Sequence, residues 1–465
     1  MFDLKIFGEK AALITESGTV SYNELAALSK KFGDLVKRRC LIFLFTENST
    51  AAVAGYVGFI NKKIVPAMID AELNLESAKN LIDIYRPEYL LMPNHLRGNY
   101  SDMEEIFQSE DYVLLATGEQ NPFPLHNDLA LLMTTSGSTG SPKFVRQSYE
   151  NIFSNTKSIV EYLQIDENER AITNLPLHYV YGLSILNTHL FSGASLVLTD
   201  KTLFQKEFWQ LMKEKEVTNL NGVPYTFEML ERLRFFRMKL PALKKITQAG
   251  GKLSTDLHFK FAEYAKNNDK KFFVMYGAAE ATARMSYLPY EKSLEKIGSM
   301  GIAIPQGRFE LIDEEGQIIT TSEVAGELIY YGDNVTLGYA EKGEDLIKGD
   351  ENNKRLETGD IAKFDAEGFY TIVGRKKRFL KMFGKRVNLQ EVENILMKKF
   401  ATDFACTGVD DKMTIFTDDA KLANEIAPYL SKKLNLHPAA FIVKVTEEIP
   451  RNSSGKILYS ELNKL

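Results

Sequence analysis

The chain is poor in cysteine, in long apolar runs and in excess charge. Two cysteines, Cys40 and Cys406, stand far apart among 465 residues, which argues against a disulfide-stapled scaffold. Both are expected as buried thiols in a reducing compartment. The longest apolar run, Ala51 to Ile60, is too short to span a bilayer, and the start Met1-Phe2-Asp3-Leu4-Lys5 carries no apolar signal segment. A cytoplasmic protein without a membrane span is expected. A formal charge of -5 gives no general attraction for nucleic acid or anionic lipid, so the expected partners are small molecules. No Gly-Lys-Ser/Thr follows a four-residue spacer, which disfavours a P-loop NTPase. Internal repeats and low-complexity tracts are missing as well.

What is present is a globular composition, 44% hydrophobic and 26% charged, in a chain long enough for roughly three domain-sized units. Ser21-Tyr22-Asn23-Glu24 has capping-box spacing, and Leu25, Leu28, Phe32 and Leu35 recur at helical intervals, so an amphipathic helix is predicted from Ser21. A strand over Leu41–Phe45, a helix over Ala51–Ile60 and the apolar stretch Ile64–Met68 set a β-α rhythm that continues through Leu81–Leu91. Leu196–Leu198, Phe204–Lys213 and Lys271–Met275 repeat it, so two doubly wound sheets are expected. From about Arg308 to Val373 short alternating strands with Gly and Asp turns predict a small β-barrel or antiparallel sheet. A basic run at Gly374–Arg378 then opens a last segment of α+β pattern, with a helix capped by Asn388, a strand at Met413–Phe416 and a helix at Leu422–Leu434. The expected division is an α/β N-terminal domain over 1–374 and a smaller C-terminal domain over 375–465 that can move as a unit.

Chemistry concentrates first at Thr134-Thr135-Ser136-Gly137-Ser138-Thr139-Gly140-Ser141-Pro142-Lys143. Glycines let main-chain N–H groups approach an anion, hydroxyls donate further hydrogen bonds, and Lys143 adds a point charge, so the stretch reads as a phosphate loop. Taken alone it also reads as a polar surface loop. Further blocks follow in the chain: Leu175–Gly182, Ala249-Gly250-Gly251-Lys252-Leu253, Tyr276-Gly277-Ala278-Ala279-Glu280-Ala281-Thr282, Gly332–Tyr339, Thr358-Gly359-Asp360, Gly374–Lys381 and Pro450–Ile457.

In this order the blocks resemble the adenylate-forming superfamily, which includes acyl-CoA synthetases, peptide-synthetase adenylation domains and beetle luciferases. The resemblance runs from Ser21-Tyr22 to Lys456. It implies that Thr135, Ser136, Gly137, Ser138, Thr139, Gly140 and Lys143 cradle the phosphates of ATP. Tyr276 then stacks on adenine, with Gly277 beside it and Gly250 and Gly251 at the adenine edge. Glu280 holds Mg²⁺, which favours one or two carboxylates plus phosphates, and Asp360 takes the ribose hydroxyls as an acceptor-only carboxylate. Arg375 reaches ribose or phosphates. Lys377 is the hinge position, Lys381 lies on the loop presented for the second half-reaction, and Lys456 is the lysine of adenylation, neutralising charge as a carboxylate attacks the α-phosphate. The Gly332–Tyr339 block is implied to be structural. Ala279 stands where the family has a threonine hydroxyl on the α-phosphate.

The acid pocket is implied at His178 or Tyr179, with Val223, Pro224, Gly250, Ala278 and Met300. Tyr181-Gly182 offers no carboxylate to pair with an α-ammonium group, so the acid is expected to lack one. The basic run has a second reading as a nucleic-acid patch or localisation signal. The activity implied is an ATP-dependent acid:thiol ligase that uses ATP and Mg²⁺, with coenzyme A as acceptor. The alternatives are the phosphopantetheine arm of an acyl carrier protein as acceptor, or a catalytically silent nucleotide-binding scaffold.

Overall fold

The computed structural model describes residues 2–134, 143–376, 378–383, 385–434, 436–451, 457–462 and 464. They fall into two compact units. One holds the described residues up to Arg308 together with Tyr331–Leu356; the other holds Phe309–Tyr330 and the described residues from Glu357 onward.

The first unit is built on two large sheets. In the nine-stranded sheet the order is Ile302–Ala303, Ser286–Leu288, Lys271–Tyr276, Lys245–Gln248, Asn219–Gly222, Arg170–Ile172, Ser195–Val197, Ala11–Ile14 and Thr19–Ser21. Its middle is parallel and its edges are antiparallel. Arg170–Ile172 lies between Ser195–Val197 and Asn219–Gly222, so the chain leaves this strand one way and then crosses back to build the other side. Such a reversal opens a crevice at the carboxyl ends of the strands. The eight-stranded sheet has Leu41–Thr46 flanked by Val65–Asp70 and Tyr89–Pro93, both parallel to it.

The helices form where the sequence pattern places them. Ser21 accepts from the Glu24 N–H while Glu24 reaches back to the Ser21 N–H, a complete capping box on the helix Tyr22–Leu35. The next helix, Thr50–Asn61, is apolar all round and buried from Ala51 to Ile60, as a helix enclosed by protein must be. The two helices can approach because glycine stands at the crossing: a Cβ on Gly58 would meet the Ser29 carbonyl oxygen at 2.1 Å. Both cysteines are free and buried. No helix among the described residues is long and apolar enough to cross a membrane.

In the second unit the small β region is a four-stranded sheet ordered Arg308–Ile312, Gly326–Tyr331, Arg355–Phe364 and Tyr370–Arg375. Farther along, Phe404–Val409, Lys412–Thr417 and Phe441–Val445 form a three-stranded sheet. With the helices Leu389–Phe400 and Ala423–Leu434 they enclose a core of Val392, Leu396, Phe404, Met413, Ile415, Ile426 and Leu430. Asn388 caps the first helix by accepting from the Gln390 and Glu391 N–H groups. Arg378, from the basic run, is drawn into this core. Its guanidinium lies 2.7 Å from Glu393, donates to the Cys406 carbonyl at 2.9 Å and packs on the Tyr459 ring. Burial raises the Glu393 carboxyl above its ordinary range, opposed by Arg378.

Two buried histidines of the first unit give stability a pH dependence. The His189 Nδ1–H donates to the Ile185 carbonyl at 2.8 Å, while His258 accepts from the Gly298 N–H at 3.1 Å. Burial pushes each pKa down to about 4. Unfolded histidine titrates near 6.5, so between these values the unfolded chain binds more protons and stability must fall as pH drops from about 6.5 towards 4. Urea midpoints across that window should show this slope, and His258→Gln should reduce it by about one proton's worth. An unchanged slope in the variant would remove His258 from this account.

Candidate active site

The crevice at the carboxyl edge of the nine-stranded sheet gathers most of the candidates of the first unit. Each comes from the turn that follows a parallel strand: Val223 and Pro224 after Asn219–Gly222, Gly250 and Gly251 after Lys245–Gln248, and Gly277–Glu280 after Lys271–Tyr276. Gly250 has φ +86°, and a Cβ there would meet the Tyr179 hydroxyl at 2.6 Å and Val223 Cγ1 at 3.0 Å. Any larger residue would fill the space between these side chains. Gly251 similarly faces Pro224 Cγ, at 3.1 Å from a built Cβ.

Of the two pocket alternatives, Tyr179 therefore stands at the glycine pair. His178 points to the other large sheet, with Nε2 3.6 Å from Asp70 Oδ2 and Nδ1 3.5 Å from Thr46 Oγ1. Burial lowers its pKa, opposed by Asp70 and Glu72. Gly182 is required by packing at the start of the helix Val180–Ser192, since a Cβ would lie 2.2 Å from the Pro176 carbonyl. Met300 is buried, with its carbonyl accepting from the Ser286 hydroxyl at 2.7 Å. The Ala278 carbonyl accepts from the Ala281 N–H.

The turn after Tyr276 is fixed at several points. A Cβ on Gly277 would lie 1.8 Å from the Ala283 carbonyl oxygen, so the strand end and the returning chain touch backbone to backbone. Thr282 has φ +64° and ψ -55°, and across it the Ala283 N–H donates to the Ala281 carbonyl at 2.7 Å. This is a γ-turn of the strained hand, built on a β-branched residue. Asn334 secures it. The Asn334 amide donates to the Ala281 carbonyl at 2.9 Å and to the Arg284 carbonyl at 2.8 Å, and the Thr282 hydroxyl donates to the Asn334 carbonyl at 2.8 Å. That bond commits the hydroxyl proton, so Thr282 does not replace the donor missing at Ala279.

Glu280 is held at both ends. The Thr336 N–H and hydroxyl both donate to its carbonyl at 3.0 Å, and the Tyr339 hydroxyl donates to Oε1 of its carboxylate. The same Tyr339 ring lies under Lys143, whose Nζ is 4.1 Å from the centroid. Tyr339 thus joins Lys143 to the Glu280 carboxylate. The remaining loop residues, Thr135, Ser136, Gly137, Ser138, Thr139 and Gly140, lie outside the described residues, as do Lys377 and Lys456.

In the second unit Asp360 and Arg375 are register partners on adjacent antiparallel strands. The Arg375 Nε–H donates to Asp360 Oδ1 at 2.8 Å. Asp360 is buried and Arg375 largely exposed. Lys381 is exposed on the strand Phe379–Met382, and its N–H donates to Asp410 Oδ1 at 2.8 Å. Lys376 pairs with Glu327 at 2.6 Å. Arg375 on Asp360, Lys376 on Glu327 and Arg378 on Glu393 are thus three cations of the basic run that are paired within their own unit.

A profile of the family described as AMP-binding enzyme matches residues 4–340. The chain belongs to the AMP-binding enzyme family. Among curated relatives it is 26% identical over 475 residues to the 2-succinylbenzoate--CoA ligase of Bacillus subtilis (strain 168), covering 98% of this chain and 95% of that protein. It is also 28% identical over 357 residues to the long-chain-fatty-acid--CoA ligase of Escherichia coli O157:H7, over 72% of this chain and 61% of that one. Among solved structures, the Bacillus subtilis O-succinylbenzoate coenzyme A synthetase (MenE) in complex with AMP superposes with a TM-score of 0.80 at 23% identity, covering 99% and 97% of the two chains. ATP-bound MatB from Rhodopseudomonas palustris gives 0.79 at 20% identity over 99% and 98%. At these identities the structural likeness establishes the fold.

Within this AMP-binding enzyme, Tyr339, Thr282 and Asn334 have roles at the turn that sequence reading missed. The available signal was Gly332–Tyr339, a block with a Tyr and an Asn that was read only as framework. Two outcomes test the geometry. Tyr339→Phe frees the Glu280 carboxylate and should weaken Mg·ATP binding by about 0.5–1.5 kcal/mol, the net value of one hydrogen bond; calorimetric titration would detect it, and unchanged affinity would separate Tyr339 from the site. Gly277→Ala should displace the turn and abolish nucleotide-dependent thermal stabilisation; a normal shift on adding Mg·ATP would show that the close approach is dispensable.

Proposed function

We propose that this AMP-binding enzyme is an ATP-dependent acid–CoA ligase. A carboxylic acid and ATP·Mg²⁺ give acyl-adenylate and pyrophosphate, and the thiol of coenzyme A then attacks the mixed anhydride and releases AMP. Activation as an adenylate suits the problem, because a carboxylate is a poor electrophile and AMP is a good leaving group.

The observation that carries this reading is the Lys143–Tyr339–Glu280 arrangement, where the turn after Lys271–Tyr276 meets the edge strand Gly338–Ala340 of the eight-stranded sheet. A cationic side chain and an oriented carboxylate are what a polyphosphate with a hard divalent ion requires. Glu280 fits Mg²⁺, since Tyr339 is its carboxylate's partner at Oε1 and a carboxylate has acceptor sites to spare. The ion, when bound, offsets phosphate charge; the chain's own part is to position phosphates and acid. Tyr276 is the adenine platform and Asp360 the ribose acceptor, with Arg375 its partner and a contact to ribose or phosphate. Tyr179, Val223, Pro224, Gly250, Ala278 and Met300 form the acid pocket, with His178 beside it. Lys456 serves adenylation and Lys381 thioester formation, on a domain over 375–465 that turns about Lys377. Free buried thiols accord with a cytoplasmic location. Coenzyme A is favoured over a carrier protein by the names of the curated relatives that span nearly the whole chain.

Acid-dependent exchange of pyrophosphate into ATP, requiring Mg²⁺, is the direct test. ATP binding without exchange for any acid in a broad panel would favour the scaffold alternative, and transfer to a phosphopantetheinyl carrier protein but not to coenzyme A would move the acceptor. The two lysines should separate the half-reactions. Lys456→Ala should slow adenylation on the order of 10² to 10³ fold while sparing thioester formation from pre-made acyl-adenylate. Lys381→Ala should do the reverse. Equal losses in both steps for both variants would end the alternating-domain account.

A further inference from the structure

The strand that carries Tyr339 is short and lies at a sheet edge, yet Tyr339 has to serve two neighbours at once. Gly338–Ala340 spans three residues at the edge of the eight-stranded sheet and pairs antiparallel with Phe144–Ser148. So few ladder bonds specify a register weakly, and a slip of one residue would turn every side chain to the other face. The Tyr339 hydroxyl would then leave Glu280, and its ring would leave Lys143.

What holds the register is Arg146. It stands directly opposite Gly338 and is the largest side chain fully buried among the described residues. Its Nε–H donates to the Tyr339 carbonyl at 3.0 Å and an Nη2–H to the Leu337 carbonyl at 2.9 Å, so the chain is gripped on both sides of Gly338. The other Nη2–H meets Glu351, and Nη1 donates to the carbonyls of Lys348 and, at 3.2 Å, Gly349. A guanidinium has five N–H donors in a rigid fork, and all five are matched here. Gly338 makes the grip possible. It has φ +118°, and a Cβ there would lie 2.8 Å from Glu351 Oε2 and 3.0 Å from Arg146 Nη2. Moving the strand by one residue would bring Leu337 or Tyr339 to a position that admits only glycine. Stability alone does not call for an arginine, because the cost of desolvating a guanidinium cancels much of its attraction to an acid. A fixed position for Tyr339 does call for it.

We infer that Arg146 is a positioning residue of the Mg·ATP site: it locks the register of Gly338–Ala340 and thereby sets Tyr339 between Lys143 and Glu280. The inference rests on the ligase reading for the roles of Lys143 and Glu280, and the nucleotide affinity on which it is tested can be read whether or not an acid is activated. Arg146 acts through Tyr339, so its loss should raise KM for Mg·ATP and spare KM for the acid.

The test is a double-mutant cycle on the full chain, read as the Mg·ATP dissociation constant by calorimetry and as separate KM values for Mg·ATP and acid in pyrophosphate exchange. Arg146→Lys keeps a positive charge but cannot hold the carbonyls on both sides of Gly338 together with Glu351. It should weaken Mg·ATP binding by about three- to tenfold, as Tyr339→Phe should, and leave KM for the acid within about twofold. Because both residues act on one contact, Arg146→Lys combined with Tyr339→Phe should bind Mg·ATP no more weakly than the weaker of the two single variants. A merely structural arginine would give losses that multiply, or a lower thermal midpoint with affinity intact, and either result overturns the inference. An acid KM that rises as much as that for Mg·ATP also overturns it, as does an impaired Arg146→Lys beside a Tyr339→Phe that matches wild type. Gly338→Ala, which crowds Arg146 and Glu351 while keeping both, should reproduce the losses of Arg146→Lys, and it takes that variant's place in the cycle if Arg146→Lys does not fold. No exchange with any acid removes the ligase reading and leaves the calorimetric cycle to decide on Arg146.

Discussion

The hold that the segment Gly332–Tyr339 keeps on the turn after Tyr276 is the constraint on which the first unit's site depends. Asn334 bonds to the backbone on both sides of Thr282, and Thr336 and Tyr339 take the two ends of Glu280. A γ-turn with positive φ on a threonine is an unfavourable conformation, and it persists only where surrounding bonds over-determine it. Without this clamp neither the Glu280 carboxylate nor the close contact of Gly277 with Ala283 would have a fixed position. The strain is local, and what it secures is the direction of one carboxylate.

Charge burial follows a pattern of its own in each unit. Where a cation is structural, an acid stands against it, as with Arg146 and Glu351, Lys245 and Glu169, or Arg378 and Glu393. Such pairs contribute little net stability but fix geometry, because separating either partner leaves an uncompensated charge. Arg378 shows the effect clearly: one guanidinium ties the start of its segment to the helix Leu389–Phe400 through Glu393, to the strand Phe404–Val409 through the Cys406 carbonyl, and to Tyr459. Arg284 is instead buried against the Tyr181 ring, with Cζ 3.8 Å from the centroid.

Much of this was legible in the residues. Capping by Ser21 and Asn388, the buried helix at Ala51–Ile60 and the parallel strands are local consequences of spacing and polarity, so they could be read directly. Gly250 and Gly277 were legible as candidates because glycine is needed where backbone or a side chain comes too close for a Cβ. Tyr339 was not. Its block reads as a turn-rich edge segment, and only its pairing beside Phe144–Ser148 brings its ring under Lys143. The choice between His178 and Tyr179 was likewise closed to sequence, since neighbouring residues have the same spacing to Gly182 within one position. Their side chains diverge to different sheets.

The sequence by itself determined the alternation of strands and helices, the order of the nucleotide blocks and the residue types that could meet phosphate, metal and acid. These depend on periodicity and on chemistry carried by single residues or short runs. The tertiary structure alone decided which charges face one another. Arg375 met Asp360, Lys376 met Glu327 and Arg378 met Glu393 within a run that looked uniformly basic, while Arg284 was buried against a tyrosine ring. The reason is physical. The energy of a charge is set by the dielectric and the partners around it, and both are supplied by segments distant in the chain.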